Sequence, residues 1–488
     1  MPSLGIDIGT QSLKVAILGD DLTLLATADR GYRPSYPQPG WAEQSSQLWL
    51  HALRPSVSDA LVAAKLTPAD IKAVAICGQL DGCVPVDLSG SALSPAIIWM
   101  DRRGTEEIAR VDAKLILSRC GLVLDASHMG SKIAWLSRHH PERERVAIWH
   151  QPVSFVVAAL TGVAVMSHSM ASTTMLYNME ARDWDAELLA TFGVANAGAM
   201  PRLADDAAIA GTITARGAEL SGLSPGTPVA VGTGDDFSNP LGCGVCEPGV
   251  VAVSLGTAET VAALSERAIF DPDQLVETHA YPGGLYHLGN PGWLSGGAVR
   301  WAASMLSIDS DDAFSSLASA APAGCDGLTF IPALTGATAP KWIASARGSF
   351  IGLSTSHKPA HLARAVLEGT AFAMRDVIDR LDALQVPTGR LRLMGGGARS
   401  DLWCQMRADV SGRPAEVLAE GDASAIGAGL LATVALGLSP DVATASSSMR
   451  RRMHDVAPND RMTQAYETAY RLYRERFSAL EPTWSASN

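Results

Sequence analysis

The pattern that most restricts the fold is short and occurs twice. Near the start, LGIDIGTQSLKVAIL carries an apolar run at residues 4–8 into Gly9-Thr10-Gln11 and out into a second run at 13–18. Gly19-Asp20-Asp21 then turns the chain into a third run at 22–28. Apolar runs bounded by such turn residues predict a β-meander. At residues 249–266, GVVAVSLGTAETVAALSE repeats the theme, with a strand at 250–255, Gly256-Thr257, and a strand continuing through 260–264. A hairpin after the first strand is incompatible with the helical crossover of a Rossmann domain. No GxxxxGK[ST] occurs, which sets aside a P-loop as well. Two copies about half a chain apart predict a duplicated domain. Its two glycine turns would face each other across a cleft, each offering backbone N–H groups to a polyphosphate.

A chain of 488 residues is too long for one ordinary core, so two or more domains are expected. A net charge of −12 argues against a nucleic-acid or anionic-membrane surface. It does not argue against an anionic nucleotide, provided backbone amides and a metal ion supply the attraction. Apolar runs shorter than a membrane span and the lack of a basic, signal-like opening read as a soluble, cytoplasmic chain. Seven scattered cysteines fit reduced thiols. The CGVC pair, Cys243 and Cys246, has no second CxxC or histidine pair, and reads as small thiols after a turn.

Between the two hairpins the chain reads as mostly helical, with residues 201–227, rich in Ala, Gly and Pro, as connection. The next strand, PVAV, runs into Gly232-Thr233-Gly234 and two adjacent carboxylates, Asp235 and Asp236. Two like charges at the tip of a buried strand are costly unless they perform a task. A third glycine cluster, LRLMGGGARSDLW, places Gly395, Gly396 and Gly397 between a strand and a helix, a layout for close approach to a flat or anionic ligand. Gly427-x-Gly429-x-x-Ala432 has dinucleotide-like spacing but sits inside a helical pattern, and reads as helix packing. Tyr466, Tyr470, Tyr473, Phe477 and Leu480 mark one face of a terminal helix.

Taken in order, DIGTQSLK, PGWAEQ, GQLDG, PAIIWMDRR, KIAWLSRH, GDD, SLGT, GGAVRW, ARGSFIGLS, AVLEG, GGGARSDLWCQMRADVSG and ASAIGAG resemble the FGGY carbohydrate kinases, and the xylulose kinases in particular. The resemblance implies an α/β fold of two duplicated actin-like (ribonuclease H-like) domains with an interdomain cleft for ATP and sugar. It divides the chain into an N-terminal kinase domain at 1–243, a C-terminal one at 244–440, and a helical extension at 441–488. It implies ATP and Mg2+, a small sugar or polyol as partner, no nucleic acid or membrane, and a homodimer by family analogy alone. Asp7 matches the carboxylate that holds magnesium or its waters. Thr10, Gln11, Ser12 and Lys14 match the first phosphate turn, and Gly256 and Thr257 the second. Gly395, Gly396, Gly397 and Ser400 match the adenosine platform, and Asp235 the catalytic base. Gln79, Leu80, Asp81, Gly82 and Asp236 fall on the sugar side, with Trp41 and Arg102 as further wall residues.

The departures from the family cluster on that sugar side. Met129 stands where a small hydroxyl residue or proline is usual. Leu80-Asp81-Gly82 replaces the Met-His-Gly of xylulose kinases, and Asp236 replaces an asparagine. The loop Gly336-Ala337-Thr338-Ala339-Pro340 lacks the Glu-Arg pair usual there. An ionised aspartate only accepts hydrogen bonds, so these changes alter which hydroxyls can be met. D-Xylulose leads among the expected acceptors, with another ketose or polyol, or a silent ATP-binding regulator, as alternatives.

Overall fold

The computed structural model describes residues 1–418 and 423–485. The first meander forms as β1 (Ser3–Ile8), β2 (Ser12–Leu18) and β3 (Leu24–Gly31). Helix α1 (Ser46–Ala64) returns the chain to β4 (Ala73–Gly78), which lies parallel to β1 with Asp7 opposite Cys77. After α2 (Pro152–Thr161), strands β5 (Ile209–Thr212) and β6 (Pro228–Ala230) complete a sheet of order β5-β6-β4-β1-β2-β3. Helix α3 (Asp235–Gly242) follows, entered through Thr233–Gly234, which pair with Cys77 and Gly78 of β4.

The second half builds the same design. It contains β7 (Val250–Leu255), β8 (Ala258–Ser265), β9 (Glu277–Tyr281) and β10 (Leu285–Leu294). Helix α4 (Pro359–Ala383), β11 (Arg390–Met394), α5 (Asp401–Ser411), β12 (Ala415–Leu418) and α6 (Ala423–Ala435) come next. The chain closes with β13 (His454–Val456) and α7 (Asp460–Ser485). From β3 inward, the first sheet pairs antiparallel, antiparallel, parallel, parallel, antiparallel. From β10 inward, the second sheet follows the identical sequence through β8, β7, β11, β12 and β13. The duplication inferred from the two Gly-Thr hairpins is thus a duplication of whole sheets. One strand stands outside it: β9 pairs with the outer edge of β10 and has no counterpart in the first sheet.

Residues 201–227 are more than connection. They hold β5, a short strand Arg202–Ala204 and a helix Ala215–Ser221. Their small residues are packing residues, since a side chain at Gly217 would collide with the Leu160 carbonyl of α2. Likewise the stretch after residue 440 adds the edge strand β13 to the second sheet as well as a terminal helix. In α7, Tyr466, Tyr470, Tyr473 and Phe477 are buried, and all three tyrosines pack on Phe372 of α4. No helix among the described residues is long and apolar enough to cross a membrane.

Helix α6 joins the halves. It packs on β1, β4 and α3 although it lies in the second half of the chain, between β12 and β13 of the second sheet. Its glycines permit the approach, in keeping with the reading of that glycine run as helix packing rather than a dinucleotide motif. A side chain at Gly427 would strike the Ser238 carbonyl, and one at Gly5 of β1 would strike the backbone of Ala425 and Gly429. Ser238 Oγ donates to the Ser424 carbonyl at 2.7 Å and Ser3 Oγ to the Gly429 carbonyl at 3.1 Å. Gly5→Ala should therefore lower Tm by roughly 5 °C, because neither backbone can retreat from the added methyl. A thermal melt indistinguishable from wild type would show that the helix can move away freely.

Candidate active site

The β1–β2 hairpin ends at Asp7, which is 3% exposed, with Lys14 Nζ at 3.8 Å from its Oδ2. Those two residues are register partners across the hairpin, so the strand pairing itself brings the cation to the carboxylate. The turn is held from three sides. Gly9 N donates to Ser12 O at 3.0 Å, Tyr32 Oη to Gly9 O at 2.7 Å, and Gln44 Nε2 to Thr10 O at 2.6 Å. Trp99 Nε1 donates to Thr10 Oγ1 at 3.0 Å.

The second turn, Gly256-Thr257, is fastened to the start of the helix Gly296–Met305. Gly296 N donates to Gly256 O at 3.1 Å, and Arg300 Nη2 to Thr257 Oγ1 at 2.8 Å. Beside it, Gly395 has φ of +89° and faces the Leu255 carbonyl at the end of β7, a place and a conformation that suit glycine. Ser400 caps α5, its Oγ accepting from Trp403 N at 3.3 Å. The two turns and the glycine cluster thus lie at the ends of β1, β7 and β11, the central strands of the two sheets.

Asp235 opens α3. A helix N-terminus favours a negative charge, since its free N–H groups point that way. Asp236 N donates to Asp235 Oδ1 at 3.1 Å. Burial acts the other way and wins. It raises the Asp235 pKa well above the carboxylate range, with the charges of Asp236 and then Asp7 adding to it. Asp236 meets water in the cleft yet is crowded by protein, which lifts its pKa to about 6, with Asp81 contributing. The pair titrates as a unit, and its first proton is held firmly.

A cavity of about 310 Å³ opens over these carboxylates. Thr10, Gln79, Leu80, Asp81, Asp235 and Asp236 line it, so both the turn side and the acceptor side of the expected site reach one space. Gly82 does not; Pro152 of α2 covers the side where its side chain would stand. Trp41 and Arg102 are also elsewhere. Trp41 lies under the Arg103 guanidinium, 3.7 Å from its ring centre, and Arg102 pairs with Asp125. Asp7, Gln11, Ser12, Lys14, Gly256, Thr257, the three glycines 395–397 and Ser400 do not line the cavity.

Several lining residues were not singled out from the sequence: Ser127, His128, Glu277, His279, His287 and Trp342. His128 is 4% exposed and sits between two carboxylates, with Nδ1 3.4 Å from Asp81 Oδ2 and Nε2 3.2 Å from Glu277 Oε1. Burial opposes its charge, but Glu277 and Asp81 outweigh it and raise its pKa well above the usual imidazole value. Lys132 holds the segment in place by donating to the carbonyls of Ala126, Ser127 and His128. Asp81 has φ of +57°, a turn conformation that aspartate tolerates, and its N–H is taken by Gln151 Oε1 at 3.0 Å.

No group of three or more metal-ligating side chains exists among the described residues. Magnesium does not need one: it keeps several waters and takes one or two carboxylates plus phosphate oxygens. The mutual repulsion of Asp7 and Asp235 is an excess of negative charge that such a cation would relieve.

Two family descriptions match the chain in succession. The FGGY family of carbohydrate kinases, N-terminal domain, spans residues 3–242, and the C-terminal domain spans 251–436. The xylulose kinase of Escherichia coli (strain K12) is 31% identical over 441 residues, covering 88% of this chain and 90% of that protein. The glycerol kinase of Thermococcus onnurineus (strain NA1) is 31% identical over 449 residues, covering 89% of each. The crystal structure of xylulose kinase from Rhodospirillum rubrum superposes with a TM-score of 0.91 at 29% identity, over 99% of this chain and 100% of that one.

A carboxyl with a raised folded-state pKa binds its proton more tightly folded than unfolded. Its ionisation therefore costs stability as pH climbs past the ordinary carboxylate range. Asp235→Asn should melt higher than wild type at about pH 8 in metal-free buffer, and the gap should close toward about pH 4. A variant that melts lower at alkaline pH would mean Asp235 is stabilised as an anion.

Proposed function

We propose that this chain, which belongs to the FGGY family of carbohydrate kinases, transfers the γ-phosphate of ATP to a hydroxyl of a ketopentose, D-xylulose first among the candidates. The observation that carries the reading is the composition of the cavity. It joins Thr10 of the first turn to Asp235 and Asp236, and no lysine or arginine lines it among the described residues. An acceptor with a carboxylate of its own would meet Asp81, Asp236 and Glu277, and the cation beside them, His128, is already paired with Asp81 and Glu277. An uncharged ketose or polyol meets no such penalty.

In this reading the turns at Thr10–Ser12 and Gly256–Thr257 hold the phosphates through backbone N–H groups. Lys14 adds charge, and the glycines at 395–397 let the purine lie against the backbone beside Ser400. Asp7 would hold magnesium through its waters, and the bound ion would neutralise charge on the phosphates. The acceptor oxygen forms a bond to the γ-phosphorus as the bond to the β–γ bridging oxygen breaks, releasing ADP. Asp235 takes the hydroxyl proton. Its raised pKa makes it a stronger base once ionised, which suits that task. Asp236 accepts a hydrogen bond from a neighbouring hydroxyl.

ADP release from MgATP, measured across ketopentoses, pentitols, glycerol and gluconate, should rise with an uncharged five-carbon acceptor and stay at background with gluconate. Asp235→Ala should lower transfer by about 10²–10⁴-fold with nucleotide binding retained. Full activity in that variant would remove Asp235 from the chemistry. In Asp236→Asn, which loses a neighbouring charge that raises the Asp235 pKa, the acid limb of kcat/KM should move to lower pH. An unmoved limb would mean that another group sets it.

A further inference from the structure

The edge strand β9 has no counterpart in the first sheet, yet first-half groups bond to it directly. Thr278 N donates to Gly121 O at 2.9 Å and Ala280 N to Ser172 Oγ at 3.0 Å, so first-half groups satisfy the strand's outer edge. Glu277 Oε1 accepts from Val123 N at 3.0 Å as well as from His128. The strand's pleat then sends Glu277 and His279 to one face, and that face is the cavity. His287 of β10 is the register partner of His279, and both rings pack on Phe237, at 5.6 and 5.3 Å between centroids. Phe237 lies two residues after Asp235 in α3, and Asp235, Phe237 and both histidines line the same cavity.

This wall holds unmet polar atoms. Gln79 Oε1, His279 Nδ1, His287 Nδ1 and Trp342 Nε1 are buried without a hydrogen-bond partner, and all four residues line the one cavity, whereas His128 Nδ1 faces Asp81 Oδ2 at 3.4 Å. Gln79, His128 and His279 are 1%, 4% and 9% exposed, so bulk water does not reach them readily. A buried polar atom left unpaired is unfavourable, and its concentration in one cavity points to a ligand that pairs it. Burial keeps His279 and His287 neutral, the latter with its pKa lowered to about 3, so each ring offers one donor and one acceptor. A hydroxyl is likewise both donor and acceptor, whereas an apolar group satisfies neither atom and an anion meets Glu277.

We infer that His279 and His287, with His128 and Glu277 behind them, form the specificity wall that binds the acceptor hydroxyls farthest from the transferred phosphate. The inference rests on the kinase reading above and assigns its acceptor end. It accounts for a strand added outside the duplicated pattern: the second sheet reaches across to complete a pocket whose base and floor come from the first.

The test is steady-state kinetics with the best five-carbon acceptor of the screen. His287→Leu, which removes both polar atoms from the ring position, should raise the acceptor KM by about tenfold or more. The KM for ATP should stay within about twofold, since only uniform binding of the acceptor is lost. His287→Gln, which keeps a donor and an acceptor, should recover most of the affinity. An acceptor KM unchanged in His287→Leu overturns the inference. So does an equal rise for acceptor and ATP, or a defect that His287→Gln shares in full with a lowered Tm, because either marks a structural role alone. A wild-type chain that phosphorylates no uncharged sugar or polyol overturns the kinase reading itself, a result separable from the other three.

Discussion

Everything about the site depends on how closely α6 lies against β1 and α3. Two backbones in that contact have no room for a side chain between them, at Gly5 and at Gly427, and Gly242 of α3 meets the Ala423 carbonyl in the same way. The contact fixes α3 from below, and Asp235 and Asp236 are its first residues. Above, Gly234 leaves no room for a side chain against Leu80, which sets the point where the strand ends and the helix begins. The carboxylates are therefore placed by glycine packing on both sides. Because α6 belongs to the second half, the same contact brings the turn of β7–β8 toward the turn of β1–β2.

That rigidity makes an unfavourable charge arrangement possible. Asp7, Asp235, Asp236, Asp81 and Glu277 gather around one cleft whose near cations are Lys14 and His128. The helix terminus offsets part of the burden at Asp235, by an amount on the order of 0.3–2 kcal/mol, but the net shift of its pKa is upward, so desolvation and like charge prevail. A site assembled for stability would carry an amide at one of these places. Adjacent carboxylates whose pKa values are raised by burial and by neighbouring charge are common where a site tunes a carboxyl for a reaction.

The sequence disclosed the parts that obey local rules. Strand–Gly-Thr–strand is written in contiguous residues, and so are the carboxylates after PVAV and the glycines after LRLM; each lies where a turn or a strand end was expected. The edge strand ETHAY was opaque for the opposite reason. Read alone it is a short strand with one acid and one histidine, and nothing in it says that its outer edge bonds to Gly121 and Ser172. His128 was hidden in a helix entry, and its role comes from Asp81, 47 positions earlier, and Glu277, 149 positions later. Residues 201–227 misled because alanine and glycine serve equally in loops and in tightly packed helices, and only the neighbour, here Leu160, decides between them.

In the proposed reading, these two classes differ in what a substitution would disturb. In that reading the hairpin turns would work through backbone N–H groups, so their geometry is tied to strand pairing and glycine conformations that the whole sheet enforces. Any change there disturbs β1 or β7, each the centre of its sheet. The proposed acceptor wall draws its side chains from the loop after β4, from the segment before the helix Met129–His139, and from the outer strands of the second sheet. A side chain exchanged at Asp81, His128 or His287 leaves every backbone hydrogen bond of the two sheets in place. It changes only which hydroxyls find a donor or an acceptor. Recognition can therefore be rewritten at the edge of a fold whose centre is held constant by the packing of α6.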